Sequence, residues 1–447
     1  MGDQDQTKRP GGLNLNFDGG KVTLDHIDGD TFVSCVEQTA DENILVLARS
    51  VRSGGFNLSQ FTPKGILDST FTNGFYADPD FPDRDKFHLL ENGSFLVTGG
   101  AHPEQLAVTR FDKHGKLDTT YGQEGHAIVK VCELEFEGHK SVRIQTPENP
   151  KVPKSPDPRL DQVKRLPPKV GNSVSIADGN SLYLVFTVRW DEPEIVMPVV
   201  VRLDENGELD KTFNKSGYVV VTLAGAGIRC SQATEAVLQT QPGEDSKLLI
   251  ILKEILPPSD PSESQRLLVR YNNRGEPDYS FGDSAKQQGV VSIDRDDFYV
   301  VNSLWTDETG ALKVLGASFK DNIGLKGAIA GYTAQGKQDS SFNEGQLLLT
   351  EIGPGYGNWH KGAFYGQGQG LRMVLSTSFV GNEPLIGIAR LLDGGAFDDS
   401  FGDQGKAVFA ATESGWQALA QLQLLPNKDI ILGYRNDIWW VLGGDAE

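Results

Sequence analysis

Short runs of alternating or wholly apolar residues, separated by turn residues, follow one another along the whole chain in a fixed four-part order. In the first unit Phe32 to Gln38 and Ile44 to Ala48 flank Ala40, Asp41, Glu42 and Asn43, which read as a tight hairpin. The same turn is written Glu91-Asn92-Gly93 in the second unit, Asp178-Gly179-Asn180 in the third and Glu308-Thr309-Gly310 in the fifth. A third run follows, as in Leu106 to Phe111, Val199 to Leu203, Leu267 to Tyr271 and Leu385 to Leu391. A short fourth run closes each unit: Ala127 to Lys130, Tyr218 to Thr222, Val290 to Ile293, Leu347 to Thr350 and Ala407 to Ala410. Four short strands in a meander make one propeller blade.

Between the third and fourth runs stands a recurring phrase, Gly-x-x-Asp-x-Ser/Thr-aromatic. Its clean copies begin at Gly65, Gly115, Gly207, Gly275, Gly336 and Gly395, and a degraded copy reads Gly11, Asn14, Asn16, Phe17. A period of about 50 to 60 residues is the signature of a propeller or solenoid array. The C-terminal unit ends after a third run, Ile438 to Leu442, while Lys21 to Leu24 follows the degraded phrase and is placed to supply the missing fourth strand. The expected fold is therefore all-β: a seven-bladed β-propeller of four-stranded blades in one domain, residues 1–447, closed by its N-terminal strand.

The phrase, with the Gly-x-x-Gly-x-Val rhythm after it (Tyr121, Gly122, Gly125, Ile128; Phe401, Gly402, Gly405, Val408) and the arginines ending the third runs (Arg110, Arg202, Arg270, Arg390), resembles the bacterial delta-sixty repeat family of β-propellers. The resemblance implies architecture and carries no catalytic residue across. Departures are Asn14 and Asn16 in the first copy, Gly331 where other units have Arg, and a long insertion in the third unit. Within the phrase, Gly is expected to supply a positive φ, Asp and Ser/Thr to cap turn amides, and the aromatic ring to pack between blades.

A formal charge of −19 argues against nucleic acid, whose phosphates are gripped by clustered Lys and Arg, and favours cationic partners or divalent ions. No apolar run approaches the length of a membrane helix, and Met1 to Pro10 lacks the apolar stretch of a secretory signal. The expectation is a cytoplasmic protein, or one exported without a classical signal peptide. Cys35, Cys132 and Cys230 fall in different units with no metal-like spacing, as reduced thiols do.

Successive strands run antiparallel, so the repeated turns and phrases share one face of the disc and the variable connections the other, where function is expected. Three features mark that variable face. Acidic crossings, Asp25, Asp28 and Asp30 together with Asp294 and Asp296, form a candidate calcium rim, with His26 beside the first group. Gly353 to Gly370 carries Tyr356, Trp359, His360 and Tyr365 among glycines, surfaces suited to stacking on a sugar or gripping a peptide. A Pro-rich insertion over 133–171, in the crossing between the second and third blades, is basic from Lys140 to Lys169. Common catalytic signatures such as Gly-x-Ser-x-Gly, His-Glu-x-x-His or a P-loop do not occur. The favoured expectation is thus a non-catalytic recognition module for a glycan, peptide or protein ligand. The alternative is a divalent-metal-assisted hydrolase or lyase at the channel mouth.

Overall fold

The computed structural model describes residues 10–24, 31–50, 55–77, 86–100, 105–134, 169–190, 195–221, 231–254, 266–282, 289–293, 298–319, 325–350, 358–366, 372–379, 385–410 and 421–444. They form seven four-stranded antiparallel sheets arranged as a seven-bladed β-propeller. Blade I holds β2 (Thr31–Gln38), β3 (Ile44–Ser50), β4 (Gly55–Phe61) and β5 (Gly74–Ala77), and blade II holds β6 (Lys86–Leu89), β7 (Phe95–Gly100), β8 (Gln105–Phe111) and β9 (His126–Lys130). Blade III is β10 (Lys169–Asp178), β11 (Ser181–Trp190), β12 (Ile195–Leu203) and β13 (Tyr218–Val220), and blade IV is β14 (Ser231–Gln239), β15 (Lys247–Glu254), β16 (Arg266–Tyr271) and β17 (Val290–Ile293). Blade V follows with β18 (Val300–Thr306), β19 (Leu312–Ser318), β20 (Lys326–Tyr332) and β21 (Leu348–Thr350), then blade VI with β22 (Lys361–Tyr365), β23 (Arg372–Phe379), β24 (Leu385–Leu392) and β25 (Lys406–Ala410). Blade VII joins β26 (Gln421–Leu424), β27 (Ile430–Tyr434) and β28 (Asp437–Val441) to β1 (Lys21–Thr23) from the other end of the chain.

Ring closure is as the sequence predicts. Val22 pairs with Ile438 and Lys21 with Trp439, while the Thr23 hydroxyl donates to the buried Asp437 carboxylate at 2.7 Å. A sheet edge left open there would present unpaired amides beside Ile438 and Trp439. The core is distributed: each apolar cluster lies between two neighbouring blades, and one such cluster, Phe17 and Val22 with Val36, Ile431 and Trp440, joins blade VII to blade I. Every aromatic residue of the repeated phrase is buried in one of these clusters, Phe71 and Tyr121 through Phe401.

The phrase itself is a scaffold device. Asp398 accepts the Ser400 amide at 3.1 Å and its hydroxyl at 2.6 Å on one oxygen, and the Arg390 guanidinium at 2.9 Å on the other. That guanidinium lies over the Phe401 ring at 4.9 Å. Asp118, Asp210 and Asp278 repeat the arrangement with Arg110, Arg202 and Arg270. The leading glycine takes φ near +80° in each copy, for example +77° at Gly65 and +87° at Gly395, where a Cβ would be strained. Burial alone would raise the Asp398 carboxyl. The Ser400 donors and then Arg390 more than offset it and hold the group below the usual carboxylate range.

Blade V shows how the Gly331 departure is accommodated. Gly331 pairs directly with Lys313 on the adjacent strand, and Lys313 supplies the missing cation, 3.4 Å from Asp339 and 4.8 Å from the Phe342 ring centre. The positive charge has moved across one strand while the carboxylate and the ring kept their places. A side chain at 331 would collide with Phe342, since a Cβ there would lie 2.9 Å from that ring.

Candidate functional site

The first strands of neighbouring blades touch one another around the ring, so β2, β6, β10, β14, β18, β22 and β26 wall the central channel. Their registers make positions equivalent: Glu37 opposite Leu45 in blade I matches His88 opposite Leu96 in blade II and Gln423 opposite Ile431 in blade VII. In blades III and IV that place is taken by Ile176 and Val237. At this register position the titratable groups therefore stand on blades I and II.

On that arc the groups are connected. His88 Nε2 lies 2.8 Å from Ser175 Oγ, which in turn lies 2.6 Å from Thr98 Oγ1, and the Lys86 ammonium donates to the Ser175 carbonyl at 2.9 Å. Burial, reinforced by Lys86, holds His88 well below the ordinary imidazole range, so it is neutral at pH 7. Burial pushes the neighbouring Glu37 carboxyl up to about 7, against the opposing pull of Lys86 and of the Leu89 amide that donates to it. A carboxyl in this state exchanges a proton at neutral pH. Four polar side chains, Glu37, His88, Ser175 and Thr98, thus stand beside a fixed cation.

The opposite arc is an ion pair. Glu235 of blade IV reaches Lys361 of blade VI at 3.5 Å, passing in front of blade V, where Ser303 stands at the same register position. Bulges in β2, β14 and β18 place Ser34, Thr234 and Asn302 just before these positions. Ser34 and Thr234 tie their hydroxyls to the carbonyls of Leu47 and Ile251, at 3.2 and 3.3 Å.

The residues expected to bind a ligand are not brought together. Trp359 is 1% exposed, packed between blades V and VI in the space left by Gly327, with its indole N–H donating to Thr350 at 2.8 Å. His360 is 4% exposed, and burial with Lys361 beside it pulls its imidazole down to about 4. Neither offers a surface to a ligand, and both assignments are corrected: an apolar ring after a glycine-rich stretch gains more from an interblade gap than from solvent. Tyr356 lies outside the described residues, as do the candidate metal ligands Asp25, Asp28, Asp30, Asp294 and Asp296 and nearly all of the 133–171 insertion. Among the described residues no group of three or more His, Cys, Asp or Glu side chains could hold an ion.

Tyr365 is half-buried and stands at the far end of β22, on the face of the repeated hairpins. There it helps line a cleft of about 540 Å³ between blades VI, VII and I, with Gln38, Thr39, Gln423, Pro426 and Lys428. The Lys428 ammonium lies 5.5 Å from the Tyr365 ring centre, Arg390 donates to the Tyr365 hydroxyl at 3.1 Å, and the Gln38 amide N–H donates to the Gln423 side chain at 2.6 Å. The concavity thus opens on the opposite face from the variable loops. Glu37 immediately precedes Gln38 on β2, so the two side chains point to opposite faces of that strand and Glu37 stands outside the cleft lining. Sequence reading missed Glu37, Lys86, His88 and Ser175 because each sits inside an ordinary strand run. Aligning blades on the residue before the hairpin is the signal that would have exposed them.

No protein-family model matches the chain, and no curated protein matches it. Similar solved structures include an alpha-L-arabinanase from Penicillium chrysogenum complexed with arabinobiose, at 10% identity and TM-score 0.41, covering 83% of this chain and 98% of that one. The polysaccharide lyase Uly1 aligns at 9% identity and TM-score 0.47 over 92% of this chain and 90% of its own. An endo-arabinase from Bacteroides thetaiotaomicron VPI-5482 aligns at 11% and 0.34 over 71% and 99%. Likeness at this level transfers no residue role. The expectation of a non-catalytic recognition module is corrected: Trp359 and His360, two of the four side chains expected to bind its ligand, are buried.

Proposed function

We propose that the protein is a glycan-acting hydrolase or lyase, with its acid–base chemistry at the channel mouth of blades I and II. One observation carries the reading: the Glu37 carboxyl, on the channel wall, is held at about 7 and can give or take a proton at neutral pH. The Lys86 ammonium stands close enough to oppose that rise, and would likewise stabilise negative charge developing on a substrate. His88, neutral and hydrogen-bonded to Ser175, stands on the same arc as a fixed polar partner rather than a second proton carrier. A glycan is the substrate class that the cleft between blades VI, VII and I supports, because Gln38 and Gln423 lie where sugar hydroxyls need amide partners. Asp25, Asp28, Asp30, Asp294 and Asp296 lie outside the described residues, and no step is assigned to them.

The test is turnover of a polysaccharide panel, arabinans and uronate-containing chains included, followed by reducing-end release and by ultraviolet absorbance of unsaturated products. Wild type should act on at least one polymer, with a rate that changes through an apparent pKa near 7. Glu37→Gln should lower that rate by roughly 10²- to 10⁴-fold while leaving the near-ultraviolet circular dichroism intact. An inert wild type across the panel, or a Glu37→Gln variant with undiminished rate, would overturn the proposal.

A further inference from the structure

The channel wall across from Glu37 carries a tryptophan. Each third strand meets its phrase through one bridge, Phe61 with Leu67 in blade I and Tyr332 with Gln338 in blade V, and counting through the strand pairs from those bridges sets Trp305 at the register place of Glu37. The other blades hold His88, Ile176, Val237, Ala363 and Gln423 there. Blades I and V have two blades between them on one side of the ring and three on the other, so they stand nearly opposite. Phe364 stacks on the Trp305 ring, with centres 3.5 Å apart and planes 16° from parallel, yet the tryptophan stays half-buried. The faces of β18 pack on blades IV and VI and its edge on β19, so the exposed part of the ring opens on the channel or its mouth.

The polar groups around this ring are open as well. The buried indoles of Trp359 and Trp440 donate to Thr350 and Asp429. Among the described residues the Trp305 N–H meets no acceptor and is not enclosed, the state of a donor that a ligand can reach. Two residues back on the same side of β18, roughly 7 Å away, stands Ser303 with the Glu235–Lys361 pair in front of it. That pair is 3.5 Å apart, longer than the about 2.9 Å of a close charge-assisted bond, and the Lys361 side chain is 35% exposed, so its ammonium keeps donors for another oxygen. Glu235 gives its other oxygen to the Ala236 amide at 3.1 Å. A charged acceptor and a charged donor side by side, next to an aromatic ring, match a neutral sugar, whose neighbouring hydroxyls donate and accept and whose C–H face packs on the ring.

We infer that this wall binds one neutral sugar unit, with its apolar face on Trp305 and its hydroxyls bridging Glu235 and Lys361, as a subsite across the channel from Glu37. The inference rests on the reading of the protein as glycan-acting and says where the chain is held while Glu37 works on it. The pair sums to zero charge and so gives no preference to an ionised sugar, while the −19 of the whole chain opposes an anionic one.

The experiment is titration of the full chain in the Glu37→Gln background, so that turnover does not interfere, read by calorimetry and by tryptophan fluorescence. The probes are the trisaccharides of arabinose, galactose and glucose, with trigalacturonate for comparison. At least one neutral trisaccharide should bind, no more weakly than trigalacturonate, and change the emission. Trp305→Ala should weaken that binding roughly tenfold. Trp305→Phe keeps a ring against Phe364, and with it the fold, and should remove the fluorescence response. Glu235→Leu combined with Lys361→Met replaces the pair by apolar side chains, so the melting temperature should hold while affinity falls roughly tenfold. No binding of any neutral trisaccharide, a fluorescence response that survives Trp305→Phe, or an affinity unmoved in the double variant would each overturn the inference. Binding with this signature by a protein that turns over no polysaccharide would leave the inference standing and sink Glu37 as the proton carrier. Glu37-dependent turnover with a KM that Trp305→Ala leaves unchanged would sink the subsite alone.

Discussion

Trp359 decides between a surface and an interior, and replacing it measures the difference. The indole is 1% exposed in the cluster that joins blades V and VI, packed with Phe342, Leu315 and Met373. Truncating such a ring to alanine costs about 3–5 kcal/mol. The Thr350 hydroxyl loses the indole donor but keeps the Gly327 carbonyl at 3.3 Å, so little is added for an orphaned polar group. Taking about 4 kcal/mol, and an unfolding entropy of about 2.1 cal/mol/K per residue over 447 residues, Trp359→Ala should lower a cooperative melting temperature by about 4 °C. Trp359→Phe keeps most of the packing and should cost about 1–2 kcal/mol, chiefly the lost N–H donor. Differential scanning calorimetry with a parallel guanidinium titration reads both. If Trp359→Ala melts with wild type, the ring is a surface group and the interblade assignment is wrong.

Two further perturbations probe the scaffold and the channel. Lys313→Met removes the cation that serves Asp339 in blade V and should destabilise by about 3 kcal/mol near neutral pH. Asp339 is held below the usual carboxylate range, burial being more than offset by Ser341 and then Lys313. Its contribution is therefore present above the unfolded-state pKa and lost as pH falls through the native one, so the variant should have a flatter acid limb in melting temperature against pH. A limb as steep as that of wild type would show that Lys313 contributes nothing there. Glu37 has the opposite sign: with its native pKa raised from 4.5 to about 7, the folded state binds the extra proton, and stability should fall as pH rises from 4.5 to 7. Glu37→Gln should then melt higher than wild type at pH 8 and close to it at pH 4, and equal melting at pH 8 would contradict the burial that raises this carboxyl.

Much of the fold was legible because it is written locally. Each turn needs a glycine at positive φ, each Asp caps amides two residues away, and strand alternation has a period of two, so repetition of these short-range demands announces seven equivalent units. Closure was legible for the same reason: Lys21 to Leu24 and the short final unit complement one another. The Gly331 exception was visible as a departure, but its remedy was not, since Lys313 lies 18 positions earlier and meets Asp339 only through strand pairing.

The site belongs to the other category. Glu37, Lys86, His88 and Ser175 come from three blades and converge because the ring brings first strands together around an axis, a relation with no fixed spacing along the chain. Burial, which sets the proton affinity of Glu37 and keeps His88 neutral, is likewise a property of the assembled channel. The Trp359 and His360 assignments failed for this reason: composition places an aromatic and an imidazole beside a glycine-rich segment, but only packing decides whether they face water or the next blade. The sequence by itself determined the repeating unit, its number and its closure, because hydrogen-bonded turns and strand periodicity act over a few residues. Tertiary structure alone decided which side chains share the channel and which cleft lies beside them, because convergence and desolvation depend on residues far apart in the chain.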